Sequence, residues 1–500
     1  MATLLPVSAV SEDQPTPPSG ELQQLLTEAQ HRAVLELLRV APVADDLGRR
    51  FHAAGHELAL VGGSVRDALL GRLGNDLDFA TDARPEQVQR LLRGWADHVW
   101  DVGIAFGTVG ARKGEYVIEV TTYRSETYDR TSRKPDVSYG DSLVGDLLRR
   151  DFTINAMAVS LPGTSFVDPY SGLADLARGV LRTPSAPEES FSDDPLRMMR
   201  AARFAAQLGV SVAPEVVTAM TAMAERIEIV SAERVREELV RLVLADDPRR
   251  GLTLLVDTGL AEHVLPELPL LRLEIDEHHR HKDVYEHTLT VLERAIDLED
   301  PPGGEVPGPD FVLRFAALMH DIGKPRTRRL EPGGGVSFHH HETVGARMCA
   351  KRMQALRFSS EVTDDVSRLV ELHLRFHGYG AGEWTDSAVR RYVRDAGPLL
   401  SRLHRLTRAD CTTRNRRRAK ALEQAYDDLE RRIAELEASE ELARIRPDLD
   451  GRQVMAILGI PPGREVGQAM AYLLDLRLEH GPLGEQAATE ALRQWWAARG

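Results

Sequence analysis

Apolar residues recur at i, i+3 and i+4 from about Leu22 to Ala54, which predicts an amphipathic helix near the N-terminus. Strand-like runs then replace that period. Glu57–Val61, Leu77–Ala80, Thr108–Ala111 and Tyr116–Thr121 read as short strands bounded by glycines or charged turns, in a mixed strand and helix region that ends near Pro184. From about Asp193 onward the helical period returns and holds in almost every segment. Asp300–Asp310 and Glu331–Gly335 are rich in Pro and Gly and read as surface loops. A long charged helix is expected from about Arg416 to Arg444, and Pro447–Gly467 breaks the pattern with Pro461, Pro462 and Gly463. The expected fold class is α+β: a small head with a mixed sheet, followed by an all-helical body.

Composition and charge then add to this picture. The 500 residues suggest about three domains. No uninterrupted apolar run approaches the ~18 residues of a bilayer span, so no helical membrane protein is expected. Glu12, Asp13, Pro15, Pro17 and Pro18 read as a disordered tail rather than a signal peptide. Only two cysteines occur, Cys349 and Cys411, which excludes a disulfide scaffold and points to a reducing cytoplasm. Lys plus Arg number 63 against 77 Asp plus Glu, a net charge of −14 that taken as a total speaks against a nucleic-acid partner. Positive charge is nevertheless concentrated at Arg149–Arg150, Arg197–Arg203 and Arg414–Lys420, and that local distribution bears on the partner.

The candidate chemistry begins at Leu58–Asp67, which reads as strand, glycine turn and helix. Gly62 and Gly63 would let backbone N–H groups approach a ligand, and Ser64 sits where a hydroxyl could hold a phosphate. Asp76-Leu77-Asp78 follows. Residues i and i+2 of a strand share a face, and two carboxylates on one face suit a pair of Mg²⁺ ions that clamp triphosphate oxygens. Glu119, on a later strand, is a candidate third carboxylate. Leu60–Gly71 with Asn75–Thr81 resembles the class II CCA-adding tRNA nucleotidyltransferases, within the superfamily that includes DNA polymerase beta. It is equally close to their relatives, the bacterial poly(A) polymerases.

Further motifs extend the resemblance. Arg149–Ala156 matches the family's second motif and implies ribose recognition by Asp151, supported by Asn155, with Arg66 and Arg150 among the nucleotide-binding residues. Asp193–Phe204 matches the family's protein-template motif. Asp194 and Arg197 are spaced i, i+3, which on a helix gives them one face. A carboxylate accepts from the exocyclic amino group of C or A, and a guanidinium donates to the neighbouring ring acceptor. The resemblance implies that this pair selects the incoming nucleotide without a nucleic-acid template. Arg200 and Arg203 continue the strip, with phosphate contact and helix packing both open. Glu233–Arg241 resembles the family's last motif, a bracing helix. Arg124–Gly140 matches a mobile loop. Trp100–Thr108 lacks the Arg-rich string of poly(A) polymerases, which favours CCA addition.

Histidines in the helical body form a second constellation. His287, His320-Asp321, His341, His373 and Asp410 occur in the order that resembles the HD phosphohydrolase superfamily. The resemblance implies metal ligation by His287, His320, Asp321 and Asp410, with His341 and His373 available for a second metal or a phosphate. Such a centre hydrolyses phosphomonoesters or cyclic phosphodiesters. Arg414, Arg416, Arg417, Arg418 and Lys420 form a basic cluster that reads equally as RNA contact or solvated helix. Pro447–Gly451 and Gly459–Gly467 look like the tail module of bacterial CCA-adding enzymes.

The expected organisation is a disordered tail (1–30), a nucleotidyltransferase head (31–185), a helical neck with the nucleotide-selecting motif (186–265), an HD domain (266–425) and a helical tRNA-binding tail (426–500). The expected activity is template-independent addition of CCA to tRNA 3′ ends from CTP and ATP. It requires Mg²⁺, with a further divalent metal in the HD domain, and implies no obligate protein partner. A poly(A) polymerase is the near alternative. An HD phosphohydrolase with a non-catalytic, RNA-binding head is the distant one.

Overall fold

The computed structural model describes residues 36, 39–40, 42–101, 107–123, 142–163, 165–272, 283–332, 336–378, 384–411, 416–440 and 446–499. The expected tail (1–30) and the loop Arg124–Gly140 lie outside the described residues, as does Arg414. The chain separates into two compact units, Met1–Val264 and Leu265–Gly500.

The first unit is built on a seven-stranded sheet: β1 (Leu58–Val61), β2 (Asp76–Thr81), β3 (His98–Trp100), β4 (Thr108–Lys113), β5 (Tyr116–Thr122), β6 (Ala158–Leu161) and β7 (Ser165–Val167). The spatial order is β3-β4-β5-β2-β1-β6-β7. Only β2 and β5 run parallel. Alternation sends Leu77, Phe79, Ile118 and Val120 to one face, where they pack against α1 (42–53), α2 (Gly63–Leu69) and α3 (Pro85–Leu92). The other face carries the small side chains of Ala59, Ala80 and Ala158, packed near α4 (Leu143–Leu148). Asp76, Asp78 and Glu119 stand on that thin face, which is why they remain accessible.

The neck follows α5 (Gly172–Arg178) and comprises α6 (Pro187–Asp193), α7 (Leu196–Leu208), α8 (Pro214–Met223), α9 (Ala232–Val243), α10 (Pro248–Asp257) and α11 (Leu260–Val264). A two-stranded parallel pair, β8 (Val180–Leu181) with β9 (Ser211–Val212), joins the start of the neck to the end of α7. Most of α7 is buried, including Met198, Met199, Ala202 and Phe204.

The second unit is helical: α12 (Val284–Asp297), α13 (Phe311–Met319), α14 (Lys324–Thr327), α15 (His341–Ala355), α16 (Ser360–Leu372), α17 (Asp386–Ala396), α18 (Leu400–Asp410) and α19 (Arg416–Glu440). A short hairpin, β10 (Arg329–Leu330) with β11 (Val336–Ser337), interrupts it. The expected loop at Asp300–Asp310 is irregular, with Asp300 accepting from the Val306 amide at 2.8 Å. Three last helices, α20 (Gly451–Leu458), α21 (Arg464–His480) and α22 (Gly484–Ala497), bury their own core of Leu449, Val454, Leu473 and Leu492. The stretch Pro447–Gly467, read as a break, thus contains a helix. Asp450 and Gln453 form a capping box that starts it at Gly451, so the non-helical parts of the stretch are Pro447–Asp450 and Gly459–Gly463. Among the described residues no helix is long and apolar enough to cross a membrane.

Candidate functional site

The parallel register of β2 and β5 sets Asp78 directly opposite Glu119, with Asp76 two residues earlier on the same face. Burial pushes the Asp78 carboxyl up to about 6; Arg150 opposes the shift, Glu119 and Asp76 add to it, and Arg66 opposes it. Three mutually repelling carboxylates on one face fit a divalent cation, which relieves that repulsion. The start of β2 is fixed from two sides. Ser64 Oγ accepts from the Asp78 amide at 2.9 Å and donates to the Asp76 carbonyl at 3.4 Å. Its hydroxyl, expected at a phosphate, is here engaged with the strand. Arg39 donates to the carbonyls of Leu73 and Gly74 and to Asn75 Oδ1, holding the turn that delivers Asp76.

A cleft of about 320 Å³ opens beside the carboxylates, lined by Val61, Asp78, Phe79, Thr121, Asp146, Arg149, Arg150, Asp193, Asp194 and Arg197. Asp194 and Arg197, the first two residues of the strip expected from the sequence, therefore share one space with Asp78. Arg150 donates to Asp146 at 3.0 Å, and its Nε is buried without a partner. A Cβ on Gly62, whose φ is +68°, would lie 2.7 Å from Arg150 Nη1, so only glycine admits the guanidinium there. Gly63 lies beside it, where an added Cβ would be 3.8 Å from Asp78 Oδ2.

Behind the cleft runs a buried polar chain. Arg66 donates to Asn155 Oδ1 at 2.6 Å, and Asn155 donates to Asp151 at 3.0 Å. Asp151 also accepts from the Phe152 amide and from Arg200, each at 2.8 Å. Burial works against the Asp151 carboxylate, but Arg200 and Asn155 overcome it and hold its pKa well below the usual range. Arg200 and Arg203 share Glu238, at 3.6 Å and 2.6 Å. Arg203 stacks 4.0 Å over Phe204, donates to Gln207, and is nearly fully buried, which decides its open assignment in favour of packing. Glu238 itself was missed. Its signal was an acid on the apolar face of Glu233–Arg241, three residues after Val235 and four before Leu242.

One geometric expectation fails. Asp194 and Arg197 do not share a helix face, because Asp194 lies outside the helix with φ −144° and ψ 100°. Pro195 causes this, since the residue before proline is driven from the α region to extended backbone. Asp194, just before α7, instead accepts from the Leu196 amide at 3.1 Å and takes Arg234 at 2.8 Å. Arg197 is anchored by Ser190 Oγ at 2.8 Å and by the Arg149 carbonyl. Both still reach the same cleft.

The second centre is inside the helical unit. His287 comes from α12, His320 and Asp321 from the end of α13, His341 from the start of α15, His373 from the end of α16 and Asp410 from the end of α18. Gly323 permits the close approach of the turn after α13 to α15, because a Cβ there would lie 2.1 Å from the His341 carbonyl. His320, His341 and His373 each donate Nδ1–H to a backbone carbonyl three residues earlier, at 2.8, 2.9 and 2.6 Å. That leaves each Nε2 as a lone-pair donor, and all three are buried without a hydrogen-bond partner. His287, His320 and Asp410 form one group, and Asp321, His341 and His373 another, each with its donor atoms within 4.8 Å of one another. Asp321 Oδ2 lies 3.2 Å from His320 and 3.6 Å from His287, so it touches both groups. Burial pushes His373 down to about 3, with His320 adding to the shift. Burial also opposes the Asp321 carboxylate, yet His320 and Lys324 hold it well below the usual range. Lys324, unremarked in the sequence, donates to Asp321 at 2.8 Å. Imidazoles and carboxylates in this arrangement fit divalent metal.

Of the remaining expectations, Arg417 and Lys420 are exposed on α19.

Residues 58–182 match the Poly A polymerase head domain, 209–271 a probable RNA and SrmB-binding site of polymerase A, and 284–415 the HD domain. Nucleotidyltransferase and HD domains generally use divalent metals, in keeping with both carboxylate-bearing centres. An A-adding tRNA nucleotidyltransferase of Deinococcus radiodurans is 34% identical over 447 residues, 88% of this chain and 95% of that protein. A CCA-adding enzyme of Levilactobacillus brevis is 44% identical over 211 residues, 42% of this chain and 52% of that one. The chain thus spans about half the length of the CCA-adding relatives it matches. Among solved structures, the Bacillus stearothermophilus CCA-adding enzyme in complex with CTP superposes with a TM-score of 0.61 at 24% identity, covering 92% of this chain and 98% of that one. The Thermotoga maritima CCA-adding enzyme complexed with tRNA gives 0.56 at 18%, covering 95% and 98%. These two likenesses show the fold.

Proposed function

The chain belongs to the tRNA nucleotidyltransferase family of A-adding and CCA-adding enzymes, and from that premise we propose that it completes tRNA 3′ ends with CCA, using CTP and ATP and no nucleic-acid template. One observation carries the reading: Asp78, in line with Glu119, faces Asp194 and Arg197 across a single cleft. Asp76, Asp78 and Glu119 would hold Mg²⁺. When bound, it neutralises triphosphate charge and lowers the pKa of the attacking 3′-hydroxyl. That hydroxyl attacks the α-phosphate of the nucleotide, a P–O bond forms, and pyrophosphate leaves. Arg150 sits where the triphosphate would lie. Asp194 accepts from the amino group shared by C and A, and Arg197 donates to the adjacent ring acceptor; G and U present the opposite polarity. Ser190 and the Arg149 carbonyl fix the Arg197 plane before a nucleotide arrives. Asp151, buried behind the cleft with both carboxylate oxygens engaged, organises the guanidinium chain there rather than touching the ribose itself.

A second reading is addition of A alone, favoured by the Deinococcus relative that spans nearly the whole chain. Two substrates separate the readings: tRNA ending before CCA, and tRNA ending in CC, each given CTP or ATP singly. Incorporation of CTP on the first supports CCA addition. Incorporation of ATP on the second only, with no use of CTP, makes the enzyme A-adding. A long A tract from ATP alone on either would make it a poly(A) polymerase.

For the second centre we propose hydrolysis of phosphomonoesters or cyclic phosphodiesters. His287, His320, Asp321 and Asp410 would hold one divalent cation, and His341 and His373 would complete a second position. The three buried Nε2 atoms, turned inward on Asp321 and Asp410 and engaged in no well-formed hydrogen bond, support this reading. Release of p-nitrophenol from p-nitrophenyl phosphate, lost in His320→Ala, tests it. Both sites call for the cytoplasm, where nucleotides and tRNA are found.

A further inference from the structure

A single cross-strand row of the sheet runs Asp78, Glu119, Gly110, Trp100, on β2, β5, β4 and β3. Directly paired residues share a face, so Trp100 stands on the carboxylate face. Its indole leans inward along the row. A Cβ added to Gly110 would lie 2.0 Å from Trp100 Nε1 and 2.2 Å from Cε2. The ring therefore lies over Gly110, the immediate neighbour of Glu119, about one strand spacing (~4.8 Å) from that carboxylate's strand.

Trp100 is not part of the main core. Its neighbour Val99 points to that core, while Trp100 is half-buried. The contrast with Trp95 is clear: that indole is buried and donates to Asp46 at 2.6 Å. The cleft for the incoming nucleotide draws on β1, β2 and β5 and takes no residue from β3 or β4. The carboxylates thus have a nucleotide cleft on the β1 side and an aromatic surface on the β3 side.

We propose that Trp100 is the stacking platform for the base at the 3′ end of the acceptor RNA. This rests on the nucleotidyl-transfer reading. A 3′-hydroxyl that reaches the carboxylates carries its base within a few ångströms of them, and the side away from the incoming nucleotide is where the indole lies. Stacking also suits the task. The terminal base changes after each addition, and a π-face accepts every base because it reads no hydrogen-bond pattern. Gly110 is the enabling residue, since any side chain there would lift the ring off the sheet.

The test uses the full chain and an acceptor RNA lacking CCA, with 2-aminopurine as its last nucleotide and no nucleoside triphosphate present. Stacking quenches the 2-aminopurine on binding to the wild type and to Trp100→Phe, but not to Trp100→Leu. With CTP and unlabelled RNA, Trp100→Leu raises the KM for RNA about 10-fold, in line with a base–aromatic stack, while the KM for CTP stays within about 2-fold. Trp100→Met, which covers the same space with a flexible chain, replaces Trp100→Leu if the latter does not fold. Unchanged quenching and RNA KM in Trp100→Leu would overturn the proposal. So would a Trp100→Phe as defective as Trp100→Leu, because an indole that only covers Gly110 has no reason to be rescued by a second aromatic ring. Quenching by a wild type that incorporates neither CTP on this RNA nor ATP on an RNA ending in CC would refute nucleotidyl transfer and leave the platform standing.

Discussion

The carboxylate face of the head and the histidine centre of the helical unit solve the same problem in opposite ways. Both gather charge that repels or desolvates itself. In the head, the carboxylates are open to solvent and the surrounding cations are already paired: Arg197 with Ser190, Arg200 with Asp151, Arg203 with Glu238. In the helical unit the donors are enclosed, each of three imidazoles is pinned through Nδ1, and each Nε2 is turned inward, those of His320 and His341 to within 3.2 Å of Asp321. The first site is arranged to receive a large charged substrate that brings its own phosphates to the cation. The second is arranged around the cation itself.

This contrast can be broken most forcefully at the carboxylates. Asp76→Ala with Asp78→Ala removes several kcal/mol of charge stabilisation and should cut nucleotide incorporation by about 10³-fold or more. Hydrolysis of p-nitrophenyl phosphate should stay at the wild-type rate, and a parallel fall would refute two independent centres. Conversely, His320→Ala should abolish that hydrolysis and leave incorporation intact. Elemental analysis after gel filtration should find divalent metal retained by the wild type, lost in His320→Ala and unaffected by the double carboxylate variant. Metal retained in His320→Ala would contradict the assignment of the buried donors.

A smaller effect sharpens the account of selection. Asp194→Ala or Arg197→Ala removes one half of the edge recognition, worth about 1–3 kcal/mol, so preference for CTP over UTP should fall by roughly 5- to 150-fold. Competition between the two nucleotides measures it. A last effect, on stability rather than on turnover, concerns Asp151. Because the folded pKa of Asp151 lies below its unfolded value of about 3.9, its contribution is complete above that pH and is lost as pH falls towards the folded pKa. Asp151→Asn should therefore melt lower at pH 7, by a few kcal/mol as for a broken buried pair, and show a shallower loss of stability below about pH 4 than the wild type. Melting curves across pH check both.

Much of this contrast was legible in the sequence, for reasons that can be stated residue by residue. Asp76 and Asp78 declared a shared face because strand periodicity is two, and the ordered histidines carried a pattern that survives any intervening loop. What stayed hidden depends on distant partners. Glu238 meets Arg203 from 35 residues away and Arg39 reaches Asn75 from 36 away, and no local spacing announces either. The error at Asp194 was of another kind. The i, i+3 rule assumes an unbroken helix, and Pro195 was already present to break it. Trp100 was noted only for what its surroundings lacked, because the row that places it beside Glu119 exists only once four strands have paired.

The most direct test gives the wild-type chain a tRNA that ends before CCA, with all four nucleoside triphosphates at equal concentration, and sequences the products. The account predicts C, C and A in that order, then no further addition, with U and G excluded throughout because Asp194 and Arg197 admit only C and A. Incorporation of U or G at a rate comparable to C would contradict protein-based selection in the cleft.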